Sequence, residues 1–196
     1  VLFRSWRDGF AAYEWRLRIT GLRPRLPATP RWSGSSQPEA TLLLLAEQGL
    51  GDTFQFLRFV ETARQHVKRV IVAVQPALVP LLKNSGGVDE TISLNDAIPP
   101  HDAHLPLMSL PLALDIANDA ELAAPAWINP DAERERYWNQ WLTNMFTAKA
   151  LRIGIGWRGN PNYRKDASRS LDLEHFSALA AVPGISLISL QKGRSE

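Results

Sequence analysis

One stretch of the sequence decides the fold: Thr41-Leu-Leu-Leu-Leu-Ala-Glu-Gln-Gly-Leu-Gly-Asp-Thr-Phe-Gln-Phe-Leu-Arg-Phe59. It combines a short apolar run, a turn with two glycines and a residue pattern that suits a helix. The run 42–45 is too short to span a membrane, and its continuous apolarity is typical of a parallel strand buried on both faces. The stretch therefore predicts the first strand, turn and helix of a parallel α/β sheet.

The turn after this strand holds the first candidate functional residues. Gly49 and Gly51 allow a tight turn and a close approach of the backbone. Asp52 falls where the N-cap of the helix is expected, and Gln55 completes a capping-box pattern with it. The turn is not a dinucleotide-binding fingerprint, because Phe54 replaces the third glycine, and it lacks the Gly-Lys-Ser/Thr ending of a P-loop.

The carboxylate of Asp52 bears on what this turn can bind. A bare helix N-terminus attracts phosphate, whereas a carboxylate already present there repels it. Such a turn suits a neutral hydroxyl group from which a proton must be removed. The alternative is that Asp52 only caps its helix, and the spacing does not decide between the two.

The composition excludes several classes of protein. The 196 residues are 45% apolar and 21% charged, as in ordinary soluble globular proteins. A net charge of +2 gives no case for a nucleic-acid partner. The absence of cysteine excludes disulfides, thiolate catalysis and Cys-ligated zinc. Since neither a signal peptide nor a membrane span is predicted, we expect a cytoplasmic protein.

The pattern of the whole chain predicts four segments. Residues 1–21 contain one amphipathic helix, and the Pro-rich residues 22–38 form a linker. Residues 39–150 form a parallel-sheet α/β domain, and residues 151–196 open a second one. Because the second domain stops after two strands, we expect the chain to be a fragment of a longer protein.

Strands and helices alternate in both sheet-forming segments. Residues 95–111 are predicted to form a loop. A polar helix over 131–145 places Trp138 and Trp141 on one face, which we expect to pack into the core. The predicted strands are 41–47, 69–74, 90–94, 151–157 and 185–190, and the other predicted helices are 6–19, 53–65, 76–84 and 173–181.

A basic loop follows the first strand of the second domain. In an open α/β sheet, ligands bind at the loops after the carboxyl ends of the strands. Cations and hydroxyls beside a helix N-terminus suit a phosphate or diphosphate, and the alternative is a solvated surface loop. Gln191 and Lys192 follow the next strand, and a parallel topology would place them on the same edge. The loop carries Arg158, Arg164, Lys165, Ser168, Arg169 and Ser170.

Two histidines are the candidate ligands for a metal. His101 and His104 lie three residues apart in a Pro-rich loop, with no third candidate ligand nearby. The sequence has no Asp-x-Asp pair, so a divalent metal on a diphosphate has no obvious carboxylate ligands. We therefore expect no metal, and interpret His104 as a structural or substrate-lining residue.

Four motifs occur here in the order found in one protein family. They are Glu-Gln-Gly-Leu-Gly-Asp-Thr-Phe-Gln-Phe-Leu-Arg at 47–58, Leu-Pro-Leu-Met-Ser-Leu-Pro at 105–111, Ile-Gly-Ile-Gly-Trp-Arg-Gly-Asn-Pro at 153–161 with Arg169 and Ser170, and Ser-Leu-Gln-Lys-Gly at 189–193. The chain resembles the glycosyltransferase region of bacterial tetratricopeptide-repeat proteins, related to the lipopolysaccharide heptosyltransferases. The stretch Gly-Phe-Ala-Ala-Tyr-Glu-Trp-Arg at 9–16 looks like the last helix of such a repeat array. Each motif is moderately specific, and the resemblance covers nearly the whole chain.

The resemblance implies a GT-B architecture, with two Rossmann-like domains facing across a cleft. It implies an inverting, metal-independent and cofactor-free transferase, in which Asp52 is the general base. The substrates would be a nucleotide sugar and an acceptor glycan, lipid or protein, and the repeat region would offer a site for a protein partner. The implied acceptor residues are Gln48, Gly49, Gly51 and His104, and the implied donor diphosphate residues are Arg158, Asn160, Lys165, Arg169, Ser170, Gln191 and Lys192.

Two departures from the family and two alternatives stay open. Tyr163 stands where such proteins often have His, and the motif that grips the base and ribose is missing after Gly193. We therefore expect this chain to be inactive by itself. The alternatives are a non-catalytic binding or scaffold module attached to the repeats, and another GT-B-like enzyme such as a sugar-nucleotide epimerase, which needs no acceptor.

Overall fold

A computed structural model describes residues 5–19, 26–82, 85–123, 128–146, 151–159 and 166–191. The chain divides into two compact units, 1–131 and 132–196, and each is described by itself. The sequence placed the domain boundary at 150/151, whereas the units divide before the helix that begins at Ala132.

The first unit is built on a four-stranded parallel sheet. Its strands lie in the order β3-β2-β1-β4, and each neighbouring pair is parallel. The α/β class and the parallel sheet predicted from the sequence are confirmed, and the sheet is consistent with a Rossmann-like fold. The strands are β1 (Gln37–Leu45), β2 (Val67–Val74), β3 (Glu90–Ser93) and β4 (Ala103–Pro106).

Strand β4 lies inside the segment that the sequence assigned to a loop, so that prediction was wrong. Histidine and proline give the segment little intrinsic strand preference. Its pairing with β1, from Leu42 beside Ala103 to Leu45 beside Pro106, nevertheless holds it in the sheet. All four residues of β4 are buried, and packing against β1 therefore outweighs local propensity.

The helices of the first unit are shorter than the periodicity predicted. The single helix expected over 53–65 is two helices, with a break at residues 58–59. The helix expected over 6–19 is an α-helix followed by a 3-10 turn, Glu14–Arg18. The helices are α1 (Trp6–Tyr13), α2 (Leu50–Leu57), α3 (Val60–Arg64), α4 (Val79–Leu82), α5 (Leu110–Ala113) and α6 (Asp119–Leu122).

The core of the first unit lies on both faces of β1, as the continuous apolar run predicted. Leu42 and Leu44 are fully buried on one face, and Leu43 is fully buried on the other. Trp32, only 1% exposed, joins the first of these clusters. Its main-chain N–H donates to the carbonyl of His104 at 2.8 Å, so residues 30–32 of the expected linker pack beside β4.

The second unit contains a two-stranded parallel sheet. Strand β5 (Leu151–Ile155) pairs with β6 (Ile185–Ser189) along its whole length. The helices are α7 (Ala132–Met145) and α8 (Ser177–Ala180), the latter preceded by the 3-10 turn Leu173–Phe176.

The aromatic face of α7 is exposed, so the prediction that it packs into the core was wrong. Tyr137, Trp138 and Trp141 keep 60%, 53% and 36% of their surface accessible. The rings pack edge to face on one another instead, with centroids 5.3 Å apart for the first pair and 5.7 Å for the second. Helical spacing correctly identified a shared face, but it did not show what covers that face.

Within the described residues, no helix combines the length and the apolar character needed to cross a lipid bilayer.

Candidate functional site

The strand order of the first sheet identifies where a ligand would bind. Strands β2 and β4 lie on opposite sides of β1, so the chain direction across the sheet reverses there. In open parallel sheets, ligands bind outside the carboxyl ends of the strands at such a switch point. The loop after β1 holds Glu47 and Gln48, and the turn after β4 holds Met108 and Ser109. We call these two connections the switch-point loops.

Asp52 lies on the first turn of the helix that follows β1. Gly49 is the N-cap of α2, and the carboxylate of Asp52 accepts a hydrogen bond from the Gly49 N–H at 2.9 Å. The prediction that Asp52 is itself the N-cap was wrong, because the helix begins at Leu50. The carboxylate supplies the acidic half of a capping box, and Gly49 has no side chain to supply the other half.

A side chain at Gly49 would crowd the carboxylate of Asp52 rather than strain the backbone. Its φ of −75° is open to any residue. A Cβ at this position would lie 3.1 Å from Oδ2 of Asp52. Gly51 has no atom within 4 Å of such a Cβ, so nothing in the described structure requires glycine there.

The turn is also held from the end of β2. Gln75 donates from its side-chain amide to the carbonyl oxygen of Gln48 at 2.7 Å. The hydroxyl of buried Thr53 donates to the amide oxygen of Gln75 at 3.0 Å. Sequence analysis missed Gln75, although its place directly after a predicted strand put it on the same edge of the sheet.

Arg16 reaches this edge from the turn after α1. Its guanidinium donates to the carboxylate of Glu47 through Nε at 3.1 Å and through Nη2 at 2.9 Å. Nη2 also donates to the hydroxyl of Ser109 at 2.7 Å. The Arg16 side chain is 4% exposed and that of Glu47 is fully buried, so the pair is shielded from water. Sequence analysis missed both residues.

Glu14 extends this cluster toward the surface. It accepts hydrogen bonds from Arg16 at 2.7 Å and from the Ser109 hydroxyl at 2.8 Å, and it is ion-paired with Arg31. Burial acts to raise the pKa of Glu14, but the hydrogen bonds from Arg31, Arg16 and Ser109 together hold it below its ordinary value. Burial likewise opposes the charge of Arg16, and its bonds to Glu47 and Glu14 raise its pKa.

His104 lies within the sheet, before the strand ends that carry the switch-point loops. It pairs with Leu43 in the middle of β1, it is 5% exposed, and its Nδ1 lies 3.1 Å from the Thr29 hydroxyl. The same hydroxyl lies 2.9 Å from Nε2 of His101. This burial favours the structural interpretation of His104. No group of three or more His, Cys, Asp or Glu residues suited to a metal ion occurs in the part of the chain that the structure describes.

Burial of His104 predicts how stability responds to acid. Burial lowers the pKa of His104, opposed in part by its bond to Thr29. The unfolded chain then binds a proton on His104 more readily than the folded chain. The stability that depends on a neutral His104 is therefore complete above about pH 6.5, the ordinary pKa of His, and it declines as the pH falls below that value. Urea unfolding at pH 7.5 and 5.5 should show a larger loss of unfolding free energy for the wild type than for His104→Gln. Equal losses would contradict the prediction.

The second unit brings two of its loops together at one edge. The amide oxygen of Gln191, after β6, accepts hydrogen bonds from the main-chain N–H groups of Trp157 at 3.1 Å and Arg158 at 2.9 Å, after β5. The strands are parallel. The prediction that Gln191 shares an edge with the basic loop is therefore confirmed. Asn160, Lys165 and Lys192 lie outside the described residues.

Two basic side chains that the structure describes at this edge are paired with acids. Arg158 contacts Asp172 at 3.3 Å, and Nε of Arg169 donates to Asp166 at 3.1 Å. The Ser170 hydroxyl donates to Asp166 at 2.9 Å and accepts from the Gly159 N–H at 3.2 Å. Asp166 thus binds two of the residues that the sequence assigned to a diphosphate, Arg169 and Ser170, and sequence analysis missed this acid.

An apolar cavity of about 550 Å³ lies beside these loops in the second unit. Its rings and aliphatic side chains suit an aromatic or aliphatic group rather than a diphosphate. None of the candidate diphosphate residues that the structure describes lines it. The lining residues are Ile155, Trp157, Leu173, Glu174, Phe176, Ser177, Ala180, Leu187 and Ser189.

No family model, curated protein or solved structure matches the chain. Its function must therefore be inferred from the geometry of the two sheet edges and from the order of the motifs.

Proposed function

We propose that the chain carries the acceptor side and part of the donor side of an inverting, metal-independent glycosyltransferase of GT-B type. The observation that carries the proposal is the position of Asp52, on the first turn of α2 beside the switch point of a parallel sheet. A carboxylate there suits a hydroxyl substrate and disfavours a phosphate. The first unit would then bind the acceptor and the second unit the nucleotide sugar.

The chemistry assigned to Asp52 is general base catalysis. The acceptor oxygen attacks the anomeric carbon of the donor, and its proton passes to Asp52 as the new bond forms. The bond from the anomeric carbon to the diphosphate breaks, and its electron pair leaves on the phosphate oxygen. Oδ2 of Asp52 is held by the Gly49 N–H. Among the described residues no hydrogen bond to Oδ1 occurs, and in this proposal Oδ1 is the oxygen that would receive the proton.

The leaving nucleoside diphosphate would be stabilised from the second unit. Arg158 and Arg169 are 41% and 55% exposed, and a guanidinium pairs well with phosphate oxygens. The diphosphate would replace Asp166 as the partner of Arg169 and Ser170. The alternative function is a non-catalytic binding module, and the ion pairs of Arg158 and Arg169 with aspartates favour it, since such pairs also occur in solvated surface loops.

Nucleotide binding tests this proposal. We expect the complete gene product to bind one of UDP, GDP or ADP saturably in calorimetric titrations. Arg169→Ala should weaken that binding about 10- to 100-fold, because charge-assisted hydrogen bonds contribute roughly 1.5–3 kcal/mol. Arg136→Ala, which removes a cation from α7, is the matched control and should bind like the wild type. Absence of binding to all three nucleotides would favour the non-catalytic module.

A further inference from the structure

Arg16 uses its whole hydrogen-bonding capacity inside the protein. A guanidinium has five N–H donors. Nε and one Nη2 donor bind Glu47, the other Nη2 donor binds Ser109, and the two Nη1 donors bind Glu14 and the carbonyl of Tyr13. With every donor engaged and the side chain buried, Arg16 has none left for a substrate. Its function must therefore be exerted through the groups that it holds.

Two of those groups, Glu47 and Ser109, lie one in each of the switch-point loops. Through Glu47, Arg16 holds the residue that begins the path from β1 to Gly49 and Asp52. Through Ser109 it holds the turn after β4, and Glu47 binds that turn as well by accepting the Met108 N–H at 3.1 Å. A second contact from the N-terminal segment joins the Tyr13 hydroxyl to the Gln48 amide at 3.4 Å. The N-terminal segment thus braces the turn that presents Asp52.

We propose that Arg16 is a positioning residue that sets the geometry of the Asp52 turn. Its catalytic meaning rests on the function proposed above for Asp52. A buried ion pair gives little net stability compared with apolar side chains of the same size. The planar fork of the arginine guanidinium nevertheless fixes the orientation of the groups that it binds. The N-terminal segment then belongs to the site, and a displacement of α1 would change the position of Asp52.

A comparison with Arg7 of α1, in the same N-terminal segment, supports this assignment. Arg7 also pairs with an acid of the first unit, Asp115 at 2.5 Å, but the two side chains are 59% and 66% exposed. That pair is screened by water, and its acid follows the short helix α5 in the chain. Arg16 differs from Arg7 in being buried and in binding both switch-point loops. Arg7→Met is therefore a matched control on the same segment.

The test separates positioning from stability with a double variant. Arg16→Met/Glu47→Gln removes both charges, so that neither is left buried alone, and it is expected to stay folded. Arg16→Lys keeps the charge but loses the planar fork. Hydrogen exchange of the amides at 47–53 and 107–109, and the NMR shift of the Gly49 amide proton bonded to Asp52, report the geometry of the loops.

We expect amide exchange in these loops to rise at least tenfold in both variants, while the amides of β1 and β2 exchange as in the wild type. The Gly49 amide proton should move toward the position of an unbonded amide. In the complete gene product kcat for sugar transfer should fall by about 100-fold, with the donor KM unchanged within twofold, since small misplacements have such effects. Arg7→Met should change none of these measurements.

Unchanged exchange at 47–53 would overturn the proposal, and so would a uniform rise that includes the sheet, because that would show a purely structural role. An unchanged kcat with altered amide exchange would overturn the proposal that Arg16 positions Asp52 for catalysis. A failure of UDP, GDP and ADP to bind the wild type contradicts the proposed function instead, and it does not alter the exchange result. The two failures are therefore distinguishable.

Discussion

Replacing Asp52 by asparagine is expected to lower kcat for sugar transfer by about 100- to 10,000-fold, the range contributed by a general base. The side-chain oxygen of asparagine can still accept the hydrogen bond that Gly49 donates, at 2.9 Å in the wild type. The first turn of α2 should therefore be kept. An amide cannot take the proton of the acceptor hydroxyl, and the chemical step alone is lost.

The control for this variant is Asp96→Asn. The carboxylate of Asp96 accepts a hydrogen bond from the main-chain N–H of Ser93, three residues earlier, at 2.9 Å, which is the same kind of bond as that of Asp52 with the Gly49 N–H. It lies after β3 and has no part in the proposed reaction. Transfer should be measured with the complete gene product and a saturating donor. Near-normal transfer by Asp52→Asn would contradict the base assignment and leave Asp52 as a cap.

A second substitution separates capping from catalysis. Asp52→Ala removes both the base and the bond to Gly49, so it should also destabilise the first unit by about 1 kcal/mol, as the loss of a cap does. Asp52→Asn should change the stability much less. If the two variants lose equal stability, the bond from Gly49 is not what the carboxylate contributes to the fold.

The parts of the fold that were predictable are those that local sequence specifies. Strand β1 ends in a leucine run and β2 in a run rich in β-branched residues, and the burial of these runs on both faces requires that pattern. Strand β4 escaped prediction because its pairing with β1 comes from the tertiary fold and not from its own residues. The exposure of Trp138 on α7 was not predicted for a related reason, since periodicity identifies which residues share a face of a helix but not what packs against that face.

The candidate site divides in the same way. Asp52 and Gln191 were predictable because each follows a predicted strand at a carboxyl end, where the sheet topology brings loops together. Arg16 and Glu47 are 31 residues apart, and no periodic pattern links an arginine in a helical segment with an acid after a strand. Asp166 was missed because the abundance of basic residues in the loop predicted an anion site and did not show that an acid of the same loop binds them.

The largest effect on stability is expected from breaking the buried pair of Arg16 and Glu47 on one side only. Arg16→Met should lower the unfolding free energy of the first unit by roughly 3–5 kcal/mol, because it leaves the fully buried Glu47 carboxylate without a counter-charge. Domains have total stabilities of about 5–15 kcal/mol, so this variant should lie close to the limit of folding. Urea titrations at pH 7 measure the loss.

The double variant Arg16→Met/Glu47→Gln should regain most of that loss, because both charges are removed together and neither must be desolvated alone. A double-mutant cycle with Glu47→Gln then gives the coupling between the two side chains. Arg7→Met, on the exposed pair with Asp115, should cost no more than about 1 kcal/mol. Additive losses for Arg16 and Glu47 would show that the two side chains act independently, and the N-terminal segment would then be attached to the first unit by its apolar contacts, such as those of Phe10 with the core, and not by this pair.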